Sequence, residues 1–199
     1  MRRTSRGVLA IDLALSLSYC PSTGLTYALL LGHSDLQAAF IQQQIKELAQ
    51  LASHPALLPT LVCTYLRTLL QRLADQAFNN LLNVEAESGQ SVFSVYSEFG
   101  PRPLENRSDA DNSKYALGVI QLVTAWENYT KGLLFDIESV QNFIGYINSI
   151  APSAQRAPVE MQGLVLNERL RFLAQKGNSV LWRVQFIKER AQAQLTAVD

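Results

Sequence analysis

Ala116, Val119, Val123, Trp126, Thr130, Leu133, Ile137, Val140, Ile144 and Ile147 recur at alternating steps of three and four, with Thr130 the one polar member. That is the a/d spacing of a heptad, with Ala116 at an a position. The residues just before each a position are Tyr115, Leu122, Tyr129, Asp136 and Phe143. Four of these five are aromatic or apolar, so the stripe is wider than a two-stranded seam and predicts a helix packed into a bundle. The helix is expected over 111–150. Pro152 and Pro158 bracket a connector, and Pro158 opens a last helix, expected over 158–198. Val159, Gly163, Leu166, Leu170, Leu173, Gly177, Val180, Val184, Ile187, Ala191, Gln194 and Val198 continue the alternation there. Two long helices joined by a short connector pack antiparallel.

Upstream, residues 8–31 read as a β-hairpin. Ile11, Leu13, Leu15, Leu17 and Tyr19 alternate with Asp12, Ala14, Ser16 and Ser18, and Pro21-Ser-Thr-Gly24 supplies the turn. A lone hairpin is marginal in water, so it must pack on helices or pair with a further strand. Val92 to Tyr96 is the candidate third strand. Residues 34–89 read as two helices. The first starts at Ser34, which forms a capping box with Gln37, and ends at His54-Pro55. The second follows Pro59 and stops at Gly89. Residues 97–112, with Gly100, Pro101 and Pro103, read as a loop. One mainly α domain spans 1–199: a long antiparallel helical hairpin within a bundle, with a small N-terminal β-hairpin.

Composition narrows the function. The 199 residues are 48% hydrophobic but only 17% charged. Little charge on long helices implies that much of their surface is covered, by the chain or by partners. Lys plus Arg and Asp plus Glu both number 17. Zero net charge argues against nucleic acid or an anionic membrane as partner. Arg2, Arg3 and Arg6 precede an apolar run from Val8 to Leu17, but Asp12 interrupts it and no clean cleavage site follows, so no secretory leader is expected. No membrane span is expected either. Cys20 and Cys63 lack a C-x-x-C spacing and read as reduced thiols of an intracellular, cytoplasmic protein.

No chemical motif emerges. His33 and His54 are not spaced as metal ligands and read as surface or cap residues. Asp109-Ala-Asp111-Asn112 faintly resembles a calcium loop, but Lys114 stands where glycine is needed and no Glu closes it. Glu85 and Glu87 fall on different faces of one helix, which favours structural use over an acid–base pair. Arg169, Arg171, Lys176, Arg183, Lys188 and Arg190 outnumber Glu160, Glu168 and Glu189 and read as a solvated, mildly basic face. Trp126 and Trp182, on or beside the apolar stripes, read as core. The sequence therefore assigns no catalytic, cofactor-binding or metal-ligating residue and no cofactor.

Three stretches remain: Leu15-Ser-Leu-Ser-Tyr-Cys-Pro-Ser-Thr-Gly-Leu-Thr-Tyr-Ala-Leu-Leu-Leu-Gly32; His54-Pro-Ala-Leu-Leu-Pro59 with the later Glu85-Ala-Glu-Ser-Gly89; and Arg190-Ala-Gln-Ala-Gln-Leu-Thr-Ala-Val198. Together they resemble the cytosolic region of fungal CorA-like proteins. The last looks like the helix that leads toward the membrane in longer members. The pore-mouth Gly-Met-Asn motif of that family is not present: the methionines are Met1 and Met161. The resemblance thus implies a stalk-like region without the ion pathway. The expected role is a non-catalytic helical interaction or regulatory domain. A homo-oligomer or a helical protein partner would meet it through the C-terminal helix, whose stripe still runs at Leu195 and Val198. The alternatives are an accessory or small-molecule-binding protein of a fungal biosynthetic pathway, with a cavity near Trp126 or Trp182, and a divalent-cation-sensing fragment of a magnesium transporter using Asp109 and Asp111.

Overall fold

The structure, a computed structural model, describes residues 13–32, 34–87 and 109–196. The elements are strands β1 (Ala14–Cys20) and β2 (Leu25–Leu31) and helices α1 (Asp35–Glu47), α2 (Leu57–Glu87), α3 (Asp109–Ile150) and α4 (Ser153–Thr196). A single 3-10 turn, Ala49–Leu51, stands between α1 and α2. Residues 8–12, the candidate strand Val92–Tyr96, and the Gly89 stop lie outside the described residues.

The α3–α4 hairpin is the spine. Every member of the α3 stripe is buried except Trp126, which is partly buried against the core. Buried Thr130 keeps its hydroxyl satisfied by donating to the Trp126 carbonyl at 2.7 Å. In α4 the ten residues from Val159 to Ala191 that carry the alternation are all buried. At 1.5 Å per residue the two helices run roughly 60–65 Å side by side. Both helices begin before their expected starts. Asp109 and Asp111, placed in the loop by sequence, belong to α3. Pro158 does not open α4; it sits in the second turn, five residues after Ser153. There its missing N–H forfeits only the bond to the Ala154 carbonyl, so the helix carries it.

Helices α1 and α2 brace the spine. Ser34 caps α1 through the reciprocal pair expected: the Gln37 N–H donates to Ser34 Oγ at 3.4 Å, and the Ser34 N–H to Gln37 Oε1 at 2.6 Å. α1 ends at Glu47, before His54-Pro55, because the chain tightens into the 3-10 turn first. α2 begins at Leu57, so Pro59 falls within the first turn, where its absent N–H is no loss. α2 runs antiparallel to α3 and contributes Leu61, Leu70, Ala74, Ala77 and Leu81 to the core.

The hairpin register pairs Leu15 with Leu30, Leu17 with Ala28 and Tyr19 with Thr26. These pairs form the inner face. Tyr19 packs on Ile147, Ala151 and Val159, where α3 turns into α4. The turn closes with the Gly24 N–H donating to the Cys20 carbonyl at 2.9 Å, and φ of +68° at Gly24 requires glycine. Among the described residues no further strand joins the sheet.

Candidate functional site

The row of α4 just before each a position is Gln162, Arg169, Lys176, Arg183 and Arg190, one residue per heptad. It is not a solvated face. The Gln162 side chain donates to the Gln50 carbonyl and accepts from Ser53 Oγ, both at 2.9 Å. Arg169 donates to Gln44 Oε1 at 3.1 Å. Arg183 meets Asp75 at 2.6 Å and lies over the Phe78 ring. Arg190 holds the buried carboxylate of Glu85. Lys176 alone stays on its own helix, over Phe172. This row therefore ties α1 and α2 to the spine. On the other flank Lys188 reaches Glu127 of α3 at 3.1 Å, and Lys131 reaches the same carboxylate at 2.7 Å, which holds Glu127 below its ordinary range. Of the basic residues read as surface pairs, Arg171 behaves as expected, pairing with Glu168.

Titratable groups inside the bundle are structural in setting. Glu85 is pushed above the usual carboxylate range by burial, and Arg190 pulls against that shift. It is 2% exposed. Cys63 is buried and its thiol is pushed up to about 12, chiefly by desolvation and secondly by the Asp136 carboxylate. Asp136 is itself raised by burial.

His54 departs from the sequence reading. It stands just before α2, with Nδ1 accepting from the Ala56 N–H at 3.1 Å, and it is 1% exposed rather than on the surface. Desolvation lowers its pKa to about 4, with Asn148 the one group opposing the shift. Its Nε2 and the Asn148 Oδ1 are both buried without a hydrogen bond of normal length. They form a complementary donor and acceptor pair, because a ring that accepts at Nδ1 carries its proton on Nε2. His33 and the side chains of Asp109 and Asp111 lie outside what the structure describes. Among the described residues no three His, Cys, Asp or Glu side chains are placed to hold a metal ion.

What the fold does present is apolar surface. The outer row of α4, opposite its buried seam, carries Met161, Val165, Phe172, Trp182 and Phe186, all about half exposed or more. Trp182 is 74% exposed and is not a core residue. Trp182 lies two residues before Val184 of the stripe, and two residues turn a helix by about 200°, so closeness in sequence to the stripe does not bring it inside. A hollow of about 620 Å³ opens between α2 and α3, lined by Asn80, Tyr115, Gly118, Val119 and Leu122 with Lys114 at its rim. It is near neither of the places, Trp126 and Trp182, where a ligand cavity was expected. A smaller one of about 250 Å³ lies under β1, between Leu15, Leu17, Pro59, Ser139, Val140 and Phe143. Among the described residues no helix is long and apolar enough to cross a membrane. No protein-family model, no curated protein and no solved structure matches this chain.

Proposed function

We propose that the chain is a non-catalytic helical interaction domain, and that the outer row of α4 is where a helix of a partner protein docks. One observation carries this reading. Met161, Val165, Phe172, Trp182 and Phe186 hold five of the eight positions, from 161 to 186, of an outward row with the same four-and-three rhythm as the buried seam. Such spacing suits a second helix laid along the first, with side chains interlocking. An outward tryptophan in a row of this length is the kind of anchor on which interface energy concentrates. The polar members between them, Glu168, Gln175 and Ser179, are small or flexible enough to sit at a helix seam. The resemblance of the three quoted stretches to the cytosolic region of CorA-like proteins agrees with this role, since a stalk works through helix-to-helix contact.

The test is a comparison of partners recovered by the chain and by its Trp182→Glu variant, with cross-linking mass spectrometry to locate the contact. The reading expects a partner lost in the variant, cross-linked to α4 through a segment that is helical. Identical partners with both chains, or cross-links confined to other elements, would sink it.

A further inference from the structure

The two hollows flanking α3 are levels of a single groove. Ser139, Val140 and Phe143 stand three heptads beyond Gly118, Val119 and Leu122 along α3, and Pro59 stands three heptads before Asn80 along antiparallel α2. Equivalent helix positions therefore line both, about 32 Å apart at 1.5 Å per residue. At the level of Ser139 the inner face of β1 roofs the groove, with Leu15 and Leu17 bordering the small hollow left beneath it. At the level of Gly118 no strand of the described residues covers the same positions: none of their atoms lies within 4 Å of where a Gly118 Cβ would stand, and Tyr115 and Leu122 are half exposed.

The hairpin that fills one level turns a second apolar face outward. Leu25, Tyr27, Leu29 and Leu31 share that outer face of β2, each more than half exposed, and Tyr27 is 66% exposed. Their partners across the ladder are Cys20, Ser18, Ser16 and Ala14, so no charged side chain interrupts the face. One side of the molecule thus carries an apolar ridge at one end and an apolar hollow at the other. Two such sides brought together antiparallel fit each other twice, ridge into hollow, about one two-fold axis.

We propose that the chain forms a two-fold dimer in which the outer face of each hairpin seats in the open α2–α3 groove of the second copy. Three further observations support this occupant. The groove already accepts leucines at strand spacing one level down, so the fit is of a kind the molecule itself uses. Among the described residues that line the hollow Lys114 is the one charged side chain, and the chain carries no net charge, so no general repulsion opposes pairing. The four ridge residues with Tyr115, Leu122 and Tyr129 expose roughly 750 Å² per copy, at about 200 Å² for a large side chain. Two copies would bury about 1,500 Å², within the range of stable specific interfaces. The axis passes near Tyr129, midway between the two levels. This dimer leaves the outer row of α4 free, so it stands independently of the partner proposed above.

Light scattering coupled to size exclusion, over a wide concentration range, tests it. The expected mass is twice that of the chain, and Tyr27→Asp or Gly118→Trp should each return it to the mass of one chain while leaving the helical circular-dichroism signal unchanged. Independently of those variants, Tyr129→Cys in a Cys20→Ser background should form a covalent dimer on oxidation, which Tyr27→Asp abolishes. A single-chain mass throughout with no covalent dimer overturns the proposal. So does a dimer that survives Tyr27→Asp and Gly118→Trp, and if Trp182→Glu dissolves that dimer the contact belongs to the outer row of α4.

Discussion

Gly177 of α4 faces Leu134 of α3 so closely that a Cβ at Gly177 would lie 3.0 Å from Leu134 Cδ2. Gly163, two heptads earlier, stands in the same relation to Ile144 Cγ2, also at 3.0 Å. Both glycines occupy seam positions of α4, so their missing side chains set how near the two long helices approach.

The first prediction contrasts this with an exposed glycine. Gly177→Val forces branched carbon into a filled seam and should cost about 1–3 kcal/mol, the usual penalty of overpacking. Gly132 lies on the outside of α3 with nothing within 4 Å of its would-be Cβ. Gly132→Ala should therefore gain up to about 1 kcal/mol from helix propensity alone. Urea unfolding midpoints at constant slope read both. A Gly177→Val chain as stable as the parent would mean that the seam has slack.

A second prediction concerns pH. His54 is neutral in the fold, with its pKa lowered from 6.5 to about 4 by burial. The unfolded chain takes up the proton first, so acid favours unfolding. Stability should be constant above the unfolded value, fall as pH drops from 6.5 toward about 4, and lose up to about 3 kcal/mol in that window from this residue. His54→Gln should flatten that part of the profile even if it lowers stability at neutral pH. An unchanged acid slope in the variant would show that His54 is not the group responsible.

The seam was legible in the sequence because burial there follows one rule, the three-and-four step, which its residues obey with Trp126 and Gln194 only partly buried. The cap at Ser34 was legible because its partners are three residues apart. His54 was not, since its burial depends on Asn148 and on the chain path between α1 and α2, which are far apart in sequence. The same holds for Arg169, Arg183 and Arg190. Their charge was visible, but their partners Gln44, Asp75 and Glu85 lie more than a hundred residues away. The two levels of the α2–α3 groove share a register that is plain once α2 is seen to run antiparallel to α3, which no local pattern states.

The third prediction weighs two ion pairs against each other. Glu85 is buried and Arg190 mostly so, whereas Glu168 and Arg171 are both largely exposed. Arg190→Met removes the chief compensation of a buried carboxylate and should cost about 2–4 kcal/mol, moderated because burial already favours the protonated acid. Arg171→Met should change stability by less than about 0.5 kcal/mol. Adding Glu85→Gln to Arg190→Met should restore part of the loss, since no charge is then left buried. Equal costs for the two arginines would remove the case that this row anchors α2.

The last prediction separates the two thiols. Cys20 Sγ lies 3.2 Å from Ser22 Oγ at the hairpin turn, and the hydroxyls of Ser22 and Thr23 pull its pKa down to about 7. Cys63 is buried in α2 with its pKa pushed up to about 12. The thiolate is the reactive form, so access and pKa act together. In native buffer one equivalent of iodoacetamide should label Cys20, with a rate that rises through a midpoint near pH 7. Cys63 should react only on unfolding, and its labelling rate should follow the unfolding equilibrium as urea is added. Fast native labelling of Cys63 would mean that α2 leaves the spine far more often than its packing against α3 implies. A Cys20 midpoint near the ordinary thiol value would mean that the turn hydroxyls do not hold the thiolate.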